Sequence, residues 1–136
     1  AGIHAPYGRN QLWRFALITE AELIGKLAAL TIYKKFVATA KAVIVVFYDQ
    51  NLVYHEMKDA PTMGACIQNM LLAAHDLGLG GVWIGEILKN EAEVCALCEA
   101  PDNFRLSAAL ALGWPAKAGI HEERDALDKV IFFSKH

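Results

Sequence analysis

Cys95 and Cys98 stand in a C-x-x-C, a spacing used by dithiols and by metal pairs. A zinc or redox site built on it needs a second ligand pair or a defined structural context, and the third cysteine, Cys66, is far away in sequence. Both residues instead continue the amphipathic series Ala92, Val94, Cys95, Leu97, Cys98, where a thiol behaves as a small apolar side chain. They are read as core fillers. The histidines His4, His55, His75, His121 and His136 are scattered, with no base–orienter pair among them, and His75 falls on the polar face of a predicted helix. Ser107 and Ser134 are the only serines, and neither sits in a nucleophile elbow. The sequence has no G-x-G-x-x-G after a strand and no Walker loop. No catalytic side chain and no metal site is therefore assigned. A chain this poor in acid–base machinery suits chemistry that a cofactor carries.

Two further groups remain as binding candidates. Gly80, Gly81 and Gly85 flank a short apolar run, Val82-Trp83-Ile84, and by themselves read as ordinary turn chemistry. Arg124 and Lys117 sit in a polar stretch near the end, where an isolated cation is usually just solvated. The elements around them follow from periodicity. Trp13 to Thr19 alternates and predicts a strand, and Thr19 with Glu22 forms a capping box for a helix through about Tyr33. Val43 to Tyr48 is a continuous β-branched and aromatic run, as in a buried strand. Asp59 is placed to cap the next helix, with Pro61 in its first turn. Met63, Cys66, Ile67, Met70, Leu71, Ala74 and Leu77 then recur at helical spacing, and Gly78 ends the helix in a left-handed conformation. Ala73 and Ala74 widen the apolar face, which predicts burial on more than one side.

After the short strand at Val82, Asn90 to Cys98 predicts a short helix stopped before Pro101. Phe104 to Leu112 predicts a strand ended by Gly113 and Pro115. Lys117 to Glu123 is a loop. Asp125 to Val130 is a helical turn before the apolar run Val130-Ile131-Phe132-Phe133. Helices and strands alternate with no βαβ period, which predicts an α+β fold with helices packed around a mixed, mainly antiparallel sheet.

The 136 residues favour one domain, residues 1–136. A 55% hydrophobic content is high for that length and points either to an obligate oligomer or to an Ala-rich helical core. The net charge of −2, with no basic stripe, argues against nucleic acid as a partner. No apolar run reaches the length of a membrane span and no secretory signal opens the chain. Unpaired cysteines fit a reducing cytoplasm.

Four stretches, in order, resemble signatures of the nitroreductase family. Ala5 to Phe15 (APYGRNQLWRF) is similar to A-P-S-x-x-N-x-Q-P-W-x-F. Asp59 to Gly85 resembles the family's Q-N-M helix followed by A-L-G-L-G-S-x-W-I-G. Leu110 to Pro115 is similar to A-x-G-Y-P, and Arg124 to Val130 to the closing R-x-P-L-E-E-V. The resemblance implies a nitroreductase-like fold, FMN at a homodimer interface, and hydride transfer from NADH or NADPH to nitroaromatic, quinone or similar electron-poor acceptors. It implies that Pro6, Tyr7, Gly8 and Asn10 or the adjacent Gln11 touch the ring held by the other subunit. Backbone N–H groups near Gly85 and Glu86 approach flavin N5. Arg124, with Lys117 second, binds the phosphate through charge-assisted hydrogen bonds.

The chain departs from the pattern in three places. Tyr7 stands where Ser is usual, Leu12 replaces Pro, and Asn10 and Gln11 are one residue short of the usual spacing. The family's upstream R-R-S-x-R phosphate grip is not in the sequence, which opens on Ala1 rather than Met. FMN occupancy is accordingly expected to depend on residues upstream of Ala1. The alternative is a non-catalytic flavin-binding or storage module of the same fold; a plain interaction domain with the C-x-x-C as redox handle ranks third.

Overall fold

The computed structural model describes residues 1–117, 119 and 122–135. Four strands, β1 (Trp13–Ile18), β2 (Ala42–Asp49), β3 (Gly80–Ile84) and β4 (Phe104–Gly113), form one sheet in the order β1-β2-β4-β3. Every pairing is antiparallel, so the sheet has no parallel pair among the described residues. The helices are α1 (Ala21–Ala29), α2 (Lys34–Ala38), α3 (Glu56–Asp76), α4 (Glu91–Leu97) and α5 (Leu127–Val130).

The two faces of the sheet carry separate cores. On one face Val43, Val45, Phe47 and Ile84 pack against Ile24 and Leu27 of α1, Val37 of α2 and Val94 of α4. On the other, Val46, Ala108 and Leu110 meet Met63, Cys66 and Ile67 of α3. Because β2 is central, both alternating sets of its side chains are covered, which is why its sequence is apolar without a break. In β4 the alternation changes phase: Leu106 and Ala109 serve the same core although an odd number of residues separates them in step. The register slips between Val46 and Phe47, leaving Ser107 as the extra residue of a β-bulge.

α3 covers only part of its face. Phe15 and Leu17, which share the Trp13 side of β1 by alternation, stay exposed. Leu72 on α3 and Leu77 just past its end are also exposed. The helix is thus buried on one side within this chain, contrary to the expectation from Ala73 and Ala74.

Element ends differ from the sequence reading for identifiable reasons. The cap of α1 is Glu20, with no side-chain capping bond, and Glu22 pairs instead with Lys26 at 2.7 Å. α1 stops at Ala29 rather than Tyr33; just beyond it the Leu30 carbonyl accepts from Asn90, and the Ile32 N–H and Thr31 hydroxyl donate to Glu86, so backbone groups that would extend the helix are spent on distant partners. α3 starts at Glu56, and Asp59 reaches back to accept the N–H groups of Tyr54 and His55 at 2.9 and 3.0 Å. Pro61 lies one turn deeper than expected; it lacks the N–H that would bond the carbonyl of Met57, a residue left exposed. At the other end Gly78 has φ +74, and the Leu79 N–H bonds Ala74 O at 2.8 Å, the expected left-handed stop. A 3-10 turn, Glu86–Asn90, precedes α4 and displaces its start to Glu91. α5 is shorter than the Asp125–Val130 turn expected. Of the predicted loop from Lys117 to Glu123, residues 118, 120 and 121 lie outside the described residues, as does residue 136.

Candidate functional site

The end of β3 leads straight into the first half of the site. Ile84 is fully buried, Gly85 turns the chain with φ −85 and ψ −26, and Ile87 drops back into the core with no exposure. The first amides of a helical turn have no partner inside it, so the backbone at Gly85 and Glu86 presents donors. Space is open on the side of Gly85 where a Cβ would stand: the nearest described atom there is Trp83 Nε1, 3.9 Å away. Trp83 itself is half-exposed.

The Glu86 side chain is committed elsewhere. Its Oε2 accepts from Thr31 Oγ1 at 2.8 Å and from the Ile32 N–H at 3.1 Å, and its Oε1 pairs with Lys89. The Lys89 ammonium, then the Thr31 hydroxyl, hold the Glu86 carboxyl below the usual carboxylate range; partial desolvation opposes them, and the Ile32 amide lends smaller support. Four residues on, Asn90 Nδ2 donates to Leu30 O at 2.7 Å. The turn therefore offers its backbone while its charge is neutralised against the α1–α2 connection. Sequence reading missed Thr31, Ile32 and Asn90. Their partners lie 54 to 60 residues away, and no local pattern encodes such a pairing.

The N-terminal loop forms a second part. Pro6, Tyr7, Gly8 and Gln11 are exposed. Tyr7 stands edge-on to Trp13, ring centroids 5.9 Å apart. A Cβ on Gly8 would come within 2.8 Å of the Tyr54 hydroxyl, so a side chain there would have to displace that ring. Asn10 Nδ2 donates to Leu52 O at 2.7 Å. That bond ties the loop to the 3-10 turn Gln50–Leu52 that follows β2 and uses one of the two amides that the sequence leaves open. Among the described residues, the Gln11 carboxamide makes no side-chain hydrogen bond, and the residue is exposed.

A cavity of about 450 Å³ is lined by Leu12, next to Gln11, and by Leu88, two residues past Glu86, while Pro6, Tyr7, Gly8, Asn10, Gln11, Gly85, Glu86, Lys117 and Arg124 are not among its lining residues. Small-molecule sites commonly span about 300–1,000 Å³ and are mainly apolar. Tyr48, Val53, Met63 and Leu106 continue this lining, with Glu56, Asp59 and the bulge residue Ser107 as its polar members. Among the described residues no cation lines it, which suits an apolar or aromatic group better than a phosphate.

Lys117 and Arg124 are not brought to this place by any contact. Both are exposed, and Arg124 Nη1 lies 3.5 Å from Glu122 Oε2, in a pair about four-fifths exposed on both sides (81% and 78%). Such pairs fix little. Among the described residues, neither cation makes a hydrogen bond or ion pair to the Gly85 turn or the N-terminal loop.

The thiols behave as the sequence suggests. Cys66 is fully buried, and Cys95 and Cys98 pack against the first core. All three are free, and burial pushes the Cys66 and Cys98 thiols up to about 11. Among the described residues, no group of three His, Cys, Asp or Glu could hold a metal ion, and no helix is long and apolar enough to cross a membrane.

Solved structures place this architecture in a class. A protein of Desulfovibrio desulfuricans, assigned as a nitroreductase and crystallised in complex with FMN, superposes with a TM-score of 0.86 at 40% identity, over 99% of this chain and 80% of that one. The NADPH:FMN oxidoreductase of Vibrio harveyi, solved with NAD+, superposes with a TM-score of 0.86 at 25% identity, over 99% of this chain and 64% of that one. The fold is nitroreductase-like. The nitroreductase family's sequence model matches residues 9–114, and the chain belongs to that family. A curated relative from Archaeoglobus fulgidus, assigned as an NADH dehydrogenase/NAD(P)H nitroreductase, is 31% identical over 112 residues, 79% of this chain and 64% of the relative. A second, from Methanothermobacter thermautotrophicus, is covered over 56% of its length; the chain thus spans less than two thirds of the length of these two curated relatives.

Proposed function

We propose that residues 1–136 form one nitroreductase-like domain, the core of an FMN-dependent oxidoreductase. It would use NADH or NADPH to reduce nitroaromatic, quinone or similar electron-poor acceptors, as a cytoplasmic homodimer with the flavin between subunits. The observation that carries this reading is the 40% identity, along almost the whole chain, to a family member crystallised with FMN.

The residues present suit the ring end of such a cofactor. When bound, FMN supplies a two-electron relay: a hydride enters from the reduced nicotinamide, and two electrons leave to the acceptor. The chain's task is to bind, orient and exclude water. Gly85 and Glu86 offer backbone donors where a side chain would obstruct approach. Pro6, Tyr7, Gly8 and Gln11 present an exposed face for the partner subunit's flavin, with Asn10 as the tie that fixes the loop. Lys117 and Arg124 are open to solvent, and Arg124 would exchange its exposed pair with Glu122 for the phosphate, bound by charge-assisted hydrogen bonds. The exposed Phe15, Leu17, Leu72 and Leu77 are apolar area that a second copy would cover.

The test is the visible spectrum of the full-length protein with FMN, before and after anaerobic addition of NADH and of NADPH. Flavin absorbance that bleaches with a nicotinamide and returns with a nitroarene or quinone supports the reading. A protein that stays colourless through an FMN titration overturns it. Bound flavin that neither nicotinamide bleaches would make the chain a binding or storage module.

A further inference from the structure

We propose that Glu86 and Thr31 form a positioning latch that holds the backbone donors of the Gly85 turn in place for the flavin ring, so that the latch tunes both FMN affinity and reduction potential. The inference rests on the flavin reading above and adds to it a device that acts through the backbone rather than by touching the ring.

Thr31 is a polar residue only 7% exposed, set between apolar neighbours, and both its hydrogen-bonding capacities are used. Its Oγ1 donates to Glu86 Oε2 at 2.8 Å and accepts from the Tyr33 N–H at 3.2 Å. The same Glu86 oxygen accepts the Ile32 N–H, while Lys89 occupies the other oxygen. Asn90 adds a bond to Leu30 O one turn further on. Three hydrogen bonds thus cross between Leu30–Ile32 and Glu86–Asn90, segments that sequence keeps 54 to 60 residues apart.

The turn needs this support. It begins at a glycine and continues as a 3-10 turn of five residues, a form whose hydrogen bonds are less well aligned than those of an α-helix. Its one fully buried side chain, Ile87, resists lifting of the turn but does not set the rotation of the amides before it. The latch supplies that second point of attachment. It also disposes of the Glu86 charge. A loose carboxylate beside free amides would compete for them and oppose negative charge building on a ring nearby. Bound to Thr31, Ile32 and Lys89, it does neither. Ile32, Tyr33 and Phe36 in the connection are exposed, while Leu30 and Val37 on either side pack into the first core, so the hydrogen bonds of Thr31 and Ile32 join the turn to a segment that is itself anchored.

The variants Thr31→Val, Thr31→Ser and Glu86→Gln in the full-length protein test this with three readouts: amide hydrogen exchange at residues 85–88 without flavin, the FMN dissociation constant, and the two-electron potential of the bound flavin. Thr31→Val is expected to speed exchange at 85–88 about tenfold or more while α3 exchanges as before, to weaken FMN about tenfold, and to lower the potential. Thr31→Ser keeps the hydroxyl and restores all three. Glu86→Gln keeps an acceptor for Ile32 and should lie between them, and it carries the test if Thr31→Val fails to fold. Unchanged exchange, affinity and potential in Thr31→Val, or in Glu86→Gln where it stands in, overturns the latch. So does faster exchange with affinity and potential unmoved, which marks a merely structural contact. Should the wild type bind no FMN, the functional reading fails and the role in tuning flavin fails with it, whereas a wild type that binds FMN with variants that match it sinks the latch alone.

Discussion

The turn after β3 and the stretch carrying Lys117 and Arg124 are held in opposite ways. Glu86 and Asn90 of the turn are bound across the molecule, and Ile87 between them is sealed in the core. Arg124 has one exposed pair to a near neighbour, and α5 after it buries no residue. Both regions carry residues proposed to touch FMN, so the contrast separates two kinds of site. The turn is preorganised by the chain itself, and its geometry precedes any ligand. Among the described residues, Lys117 and Arg124 make no comparable cross-molecule bond, so their proposed contact with phosphate would have to be fixed by the ligand itself.

Substitutions in the two regions should therefore fall on different observables. The largest effect is expected at Ile87→Ala, which removes a fully buried side chain beneath the turn and should lower unfolding free energy by about 2–5 kcal/mol in chemical denaturation. A loss under 1 kcal/mol would mean that the turn is not anchored there. Asn90→Ala leaves the Leu30 carbonyl without its partner and should cost about 1–3 kcal/mol. In the N-terminal loop, Asn10→Ala should cost less, about 0.5–1.5 kcal/mol, because its bond to Leu52 O is a single tie in a partly exposed setting. If Asn10→Ala instead leaves stability intact and abolishes FMN binding, its assignment as a tie is wrong.

Acid should also distinguish the regions. The Glu86 carboxyl titrates below its ordinary range in the folded protein, so its stabilising effect is complete above the unfolded value and is lost as pH falls through the lowered one. Comparing denaturation midpoints of wild type and Glu86→Gln between neutral pH and pH 3 should show the gap closing toward acid. Arg124→Ala should change stability least, by less than about 0.5 kcal/mol, while weakening FMN in titrations of the full-length protein. Equal FMN affinity in Arg124→Ala and wild type would remove that residue from the proposed site.

Much of the fold was legible in the residues. The strand at Val43–Tyr48, the series from Met63 to Ala74 and the glycine stop at Gly78 are local patterns, and burial and turn geometry follow from them directly. The family resemblance was legible too, from motifs in order. The misreadings share a cause. Thr19 and Glu22 have the right letters for a cap, yet the helix starts on Glu20 and spends Glu22 on Lys26. The same helix was expected to run on through Thr31, because nothing nearby in sequence announces that Glu86 and Asn90 will claim its end.

The sequence by itself determined the α+β class, the core-filling role of Cys95 and Cys98, the segments that build the sheet, and the turn at Gly85, since periodicity and glycine conformation act over a few residues. Only the tertiary structure decided that all strands pair antiparallel, that Ser107 bulges, that Asn10 ties a loop, and that Glu86 turns its charge toward Thr31. Each of those depends on groups brought together from distant parts of the chain. A hydrogen bond to a partner more than 50 residues away leaves no trace in local spacing, and it is settled only when the core closes around it.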